Sequence, residues 1–131
     1  MIRGFACGVF DLFHAGHAIM LKECKTHCEH LTVAINSAIN LGQDKNTPVF
    51  SIEERFEILR SIKYVDEVLI YNSEEELVEL MGRKHYHVRF LGDDDRNKPI
   101  TSPEVISKIV FLNRDHGFSS SRIRNKIKYL E

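Results

Sequence analysis

Short apolar runs alternate along this chain with stretches whose apolar residues recur at helical spacing. Ile2 to Cys7, Leu31 to Ile35, Glu67 to Tyr71, Val88 to Leu91 and Lys108 to Leu112 are short and rich in β-branched residues. That is the pattern of strands buried on both faces of a parallel sheet. Between them, Gly16 to Cys28, Ile52 to Ile62 and Glu74 to Met81 carry apolar residues at helical intervals, and a last helix is predicted from about Ser120 to Leu130. Ser51 and Glu54 form an S-x-x-E capping box at the start of the second helix. The alternation predicts βαβ units and an α/β fold, a doubly wound five-stranded parallel sheet in one domain, residues 1–131. Right-handed crossovers put the loops that follow the strands on one edge, and ligands of such folds bind there, near the point where the strand order reverses.

Composition narrows the function classes. A chain of 131 residues suits one compact domain, which buries roughly two-thirds of its unfolded surface and needs no staples. Eighteen Lys and Arg against nineteen Asp and Glu leave a net charge of −1, so nothing points to a nucleic-acid or polyanion partner. No apolar run approaches the roughly 18 residues of a membrane span. The first residues, MIRGFACGVF, show no charged region, apolar core and cleavage site of a signal peptide. Three cysteines without a framework spacing read as reduced thiols of a cytoplasmic protein. Cys24, His27, Cys28 and His30 are residue types that bind zinc, but C-x-x-H-C-x-H is not a usual ligand spacing. Cys24 and Cys28, one helical turn apart, fit small core positions instead, and no protein metal site is expected. His85 and His87 flank Tyr86 and read as surface or strand-edge residues.

The chemistry is concentrated in loops. Gly8-Val9-Phe10-Asp11-Leu12-Phe13-His14-Ala15-Gly16-His17 follows the first strand directly and opens a helix. Gly8 and Gly16 leave the backbone open to close approach, and the helix start offers N–H groups to an anion. His14 and His17 are three apart, so one turn points both rings the same way, a cradle for phosphate. Near the other end, Arg114 to Arg124 (RDHGFSSSRIR) is a glycine turn, three serines and a helix, with Arg114, Arg122 and Arg124 supplying charge. Serines cap helices and bind phosphate, and arginine forks match phosphate oxygens. Asp93, Asp94 and Asp95 follow the fourth strand, and three adjacent carboxylates repel one another unless cations or donors are near.

Gly8-x-Phe10-Asp11-x-x-His14-x-Gly16-His17 resembles the G-x-F-D-x-x-H-x-G-H signature of the cytidylyltransferases, within the nucleotidyltransferase superfamily, and the resemblance runs over nearly the whole chain. It implies a Rossmann-like fold and transfer of CMP from CTP to a small phosphorylated alcohol, glycerol 3-phosphate first, with release of pyrophosphate. It implies a catalytic set of His14, His17, Lys45 and Arg114. Nucleotide contacts fall on Gly8, Val9, Phe10, Gly16, Arg114, Gly117, Phe118, Ser119 and Ser120, the last five matching the R-x-x-G-[IF]-S-[ST] pattern that holds the β- and γ-phosphates. Acceptor contacts fall on Asp11, Arg55, Lys63, Asp66 and Asp94. Mg²⁺ accompanies the triphosphate, and a homodimer is the expected assembly. The chain departs from the family in having Lys45 alone where two lysines are usual, Ala38 where an aspartate is common, and Lys63 where an arginine is common.

The implied reaction is in-line attack by the acceptor phosphate on the nucleotide α-phosphorus. A phosphomonoester has its second pKa near ~6, so the nucleophile is already an anion and no general base is required. His14 and His17 would then stabilise developing charge. Two other functions fit parts of the pattern. Ser120-Ser121-x-x-Arg124-type ends also occur in adenylyltransferases for phosphopantetheine, nicotinamide mononucleotide or a heptose phosphate. The missing lysine and aspartate suit a regulatory nucleotide-binding module without catalysis.

Overall fold

The computed structural model describes residues 1–38, 47–92, 99–100, 105–106, 108–113 and 117–130. The described elements run β1 (Arg3–Gly8), α1 (Ala15–Thr26), β2 (His30–Asn36), α2 (Ile52–Arg60), β3 (Glu67–Tyr71), α3 (Glu74–Arg83), β4 (Val88–Gly92), β5 (Lys108–Leu112) and α4 (Ser120–Lys128). The five strands form one sheet in the order β3-β2-β1-β4-β5, and every neighbouring pair is parallel. The order therefore reverses between β1 and β4, as in a doubly wound sheet.

Alternation along β1 and β2 splits the core between the two faces. Ala6, Val33 and Ile35 pack with Leu21 and Cys24 of α1 and Leu59 of α2 on one face. Phe5 and Ala34 pack with Leu77, Leu80 and Met81 of α3 on the other. Cys24 is fully buried and Cys28 8% exposed, so both occupy the core positions their spacing predicts, and burial pushes both thiols up. A Cβ at Gly4 would meet Phe90 Cε2 at 2.6 Å and Cys28 Sγ at 2.8 Å, so the end of α1 can lie this close to β1 only over a glycine.

Helix boundaries follow local hydrogen bonding. Ser51 and Glu54 form the predicted capping box, with Glu54 N donating to Ser51 Oγ at 3.1 Å. α2 stops at Arg60, two residues short of Ile62, because the Ser61 hydroxyl donates back to Glu57 O at 2.8 Å and its N–H to carbonyls of the last turn. His87 sits at the strand edge as expected, with Nδ1 accepting from Arg3 N at 3.0 Å. No helix among the described residues is long and apolar enough to cross a membrane.

Candidate active site

The loop after β1 is bent by two non-glycine residues in the left-handed region, Phe10 at φ 54° and Leu12 at φ 48°. Each costs about 1–3 kcal/mol and persists only where its surroundings fix it. The turn tucks Phe10 into the core, 5% exposed, and delivers the chain to the start of α1 with His14 as N-cap. His14 Nδ1 accepts from Gly16 N at 2.9 Å, and His17 Nδ1 accepts from His14 N at 3.1 Å. The two histidines thus do the work of a Ser and Glu capping box. A ring nitrogen that accepts a hydrogen bond carries no proton, so each neutral ring bears its N–H on Nε2. The rings lie 4.0 Å apart, and His17 is braced by Phe13 at 5.1 Å and Phe10 at 5.7 Å.

His17 lines a pocket of about 280 Å³ where β1 and β4 part, together with Gly8, Val9, Phe10 and Gly92. His14 lines a neighbouring pocket of about 240 Å³ with Gly117, Phe118, Ser119, Arg122 and Lys126. The two sequence motifs therefore converge: the start of α1 and the start of α4 face one site. Gly117 supplies the turn into α4 at φ 78°, where a side chain would be strained. Ser119 is the N-cap and accepts from Arg122 N at 3.1 Å, while Arg122 Nη1 donates to Gly117 O. Ser120 Oγ donates to Asp11 O at 2.9 Å, joining positions 109 apart in sequence.

A third pocket of about 500 Å³ opens beyond the end of β2, lined by Ser37, Thr47, Phe50, Ser51 and Glu53. Between it and the histidine pair lies Asp11, 5% exposed. Its Oδ1 accepts from Phe50 N at 2.9 Å, and its Oδ2 from Val49 N at 2.8 Å and from Arg124. Burial alone would raise the Asp11 carboxyl, but the Phe50 and Val49 N–H groups and Arg124 outweigh it and hold it below the usual carboxylate range.

Asp11, Arg55, Lys63 and Asp66, all expected at the acceptor, have protein partners in the structure. The Asp11 carboxylate already has three protein donors, so it is an internal brace. Arg55 is 2% exposed. Four of its five N–H donors go to carbonyls: Nε to Phe50 O, Nη1 to Val9 O and Asn36 O, and Nη2 to Ser37 O, at 2.7 to 3.2 Å. It staples the site loops and also forms part of the lining of the pocket beyond β2. Lys63 and Asp66 lie between α2 and β3, and a helix that runs antiparallel to its strands returns the chain to the edge where strands begin. Asp66 there accepts from Leu31 N at 2.8 Å and from Lys25, and Lys63 lies over the Tyr64 ring at 5.2 Å. Both are at the edge away from the histidines. Lys45, Asp94 and Arg114 lie outside the described residues.

The sequence places Arg124 among the charges of the second motif but assigns it no contact within the site. Its signal was present: Arg124 stands four residues after Ser120, one helical turn, so both can reach the same loop.

A model of the cytidylyltransferase-like family matches residues 5–126. The chain is 27% identical to the probable ethanolamine-phosphate cytidylyltransferase of Encephalitozoon cuniculi, over 84% of this chain and 41% of that protein. It is 31% identical to the bifunctional protein HldE of Campylobacter jejuni, over 95% of this chain and 27% of that protein. The chain thus spans less than half the length of these relatives. Its fold resembles the crystal structure of the lipopolysaccharide core biosynthesis protein from Thermoplasma volcanium, with a TM-score of 0.64 and 23% identity over 98% of this chain and 87% of that one. The family match covers both convergent motifs and reaches all five strands, and the chain belongs to the cytidylyltransferase-like family of nucleotidyltransferases.

Proposed function

We propose that this chain transfers CMP from CTP to the phosphate of a small phosphorylated alcohol, glycerol 3-phosphate first, giving CDP-glycerol and pyrophosphate. The observation that carries the reading is the pairing of His14 and His17 at the start of α1 with the start of α4 across one site. With Nδ1 of each ring accepting from a backbone N–H, Nε2 is the protonated nitrogen from which a phosphate oxygen would take its hydrogen bond. Such donors stabilise charge growing on the α-phosphate and the bridging oxygen, and they do not abstract a proton. The acceptor phosphate needs no base, since it is already anionic near pH 7. Arg122 and Lys126, beside the start of α4, suit the β- and γ-phosphates, with Lys45 and Arg114 added on the family pattern.

Mg²⁺ in this reading belongs to the triphosphate. It takes oxygen ligands and keeps several waters, and both oxygens of Asp11 are already taken by protein donors. Bound there, it would neutralise charge on the departing pyrophosphate.

The pocket beyond β2 offers hydroxyls from Ser37, Thr47 and Ser51 to the acceptor, and the family pattern assigns Asp94 to the acceptor as well. Glu53 lines the same pocket and supports a second reading, an amino-alcohol phosphate such as ethanolamine phosphate, in keeping with the name of the Encephalitozoon relative. A cytoplasmic homodimer completes the proposal. Its support is the outer flank of edge strand β3, where Ile70 is 43% exposed beside Ile52 and Phe56. Light scattering that gives a monomer mass at working concentration rejects the dimer.

The deciding experiment is a matrix of CTP and ATP against glycerol 3-phosphate, ethanolamine phosphate, phosphocholine, phosphopantetheine, nicotinamide mononucleotide and a heptose phosphate, scored by pyrophosphate release. The expected result is the highest kcat/KM with CTP and glycerol 3-phosphate. A better pair elsewhere replaces the substrates, and no turnover with any pair replaces catalysis with a binding role.

A further inference from the structure

We propose that Asp11 is a positioning residue that couples the two substrate sites, so that binding of the nucleotide phosphates at α4 and binding of the acceptor beyond β2 reinforce each other. The inference rests on the nucleotidyl-transfer reading above.

Asp11 lines neither pocket, yet it holds a wall of each. Toward α4 it accepts from Arg124 through its carboxylate and from Ser120 through its carbonyl, the latter at 2.9 Å. Toward the acceptor side it accepts from the N–H groups of Val49 and Phe50 at 2.8 and 2.9 Å. Phe50 is itself part of the lining of the pocket beyond β2. Arg55 ties the same segments from below, to Val9 O at 3.0 Å and Phe50 O at 3.2 Å. The residues on either side of Asp11 are both in the left-handed region, a conformation that holds only while its bonds hold it. Residues 9–12, residues 49–50 and the start of α4 therefore meet at one residue, through the Asp11 carboxylate and its main-chain carbonyl. A ligand that fixes α4 also fixes Phe50, and the second ligand finds its wall already ordered. Coupling of this kind is reciprocal, and typical values run about 5- to 150-fold.

The test uses the full chain with a CTP analogue carrying a methylene between the α- and β-phosphates, titrated calorimetrically with and without glycerol 3-phosphate. In the wild type the acceptor should tighten the analogue by about fivefold or more. In Asp11→Asn and Arg124→Gln that factor should fall below about twofold, and Arg124→Lys, which keeps the cation, should restore part of it. A wild type without coupling, or variants that keep its full factor, overturns the proposal. If Asp11→Asn does not fold, Arg124→Gln alone decides.

Hydrogen exchange without ligands gives a readout that does not depend on the substrates. Cutting the link at Arg124 should speed exchange of the Val49 and Phe50 amides about tenfold while leaving α3 unchanged. Unchanged exchange at those amides overturns the proposal. An inactive wild type with this exchange pattern refutes the substrate reading and leaves the mechanical link standing.

Discussion

Asp11 and Asp66 stand at opposite edges of the sheet and use the same chemistry. Asp11 accepts two backbone N–H groups and Arg124, and Asp66 accepts one, from Leu31, and Lys25. In each, burial would raise the carboxyl, and the donors outweigh it and lower it. Their surroundings differ. The Asp66 side chain is 35% exposed and fastens the start of β2 to the end of α1. The Asp11 side chain is 4% exposed and lies between two left-handed residues. The first is a local fastener, and the second joins segments from both ends of the chain. A lowered carboxyl and a salt bridge thus do not by themselves mark a functional residue. What sets Asp11 apart is which segments it joins.

Substitution should break this symmetry most clearly in stability. Asp11→Ala strands two part-buried N–H groups and a partly buried guanidinium, at a cost of about 3 kcal/mol. Asp66→Ala exposes its donors to water and should cost about 1 kcal/mol. Urea unfolding of the two variants compares them directly, and equal losses would mean that burial and topology add nothing.

Activity separates the edges next. His14→Ala or His17→Ala should lower kcat about 10²-fold with a smaller change in KM, because those donors matter most in the transition state. Lys63→Ala, at the far edge, should stay within about threefold of the wild type. Steady-state kinetics showing near-normal kcat in both histidine variants would remove them from the chemistry.

Ser120→Ala sharpens the comparison within the site. It removes one hydroxyl bond to Asp11 O, worth about 1 kcal/mol, and should raise the nucleotide KM roughly fivefold. An unchanged nucleotide KM would leave that hydroxyl without a part in nucleotide binding.

The smallest effect is in acid. A carboxyl lowered on folding contributes stability that is present above its unfolded pKa, about 3.9, and is lost as pH falls through the folded value. The difference in melting temperature between wild type and Asp11→Asn should therefore be full at pH 7 and shrink below about pH 4. A gap that widens in acid would contradict the sign.

Much of this was readable from the residues alone. The strands and helices carry their own periodicity, and the S-x-x-E cap at Ser51 is a local signal, so the elements fall within a few residues of their expected bounds. The two phosphate motifs were also local, each following a strand or opening a helix. The direction of long side chains was not. Arg55 sits on a charged helix surface in sequence, beside Glu53 and Glu54, and only the packing of three loops turns it inward. Lys63 and Asp66 illustrate a different limit. A family pattern assigns roles along the sequence, whereas the edge these two occupy follows from the direction of α2.

The bond between Ser120 and Asp11 spans 109 positions, and that distance has a consequence for biosynthesis. On the ribosome, the His14 and His17 loop emerges early and waits until α4 has followed before the two can meet. A nascent or proteolytically shortened chain cut before α4 keeps the histidines but loses Ser120 and Arg124, two of the donors that hold Asp11, and with them restraints on the turn at Phe10 and Leu12. A nick in any loop between them would therefore be felt at a turn far away in sequence.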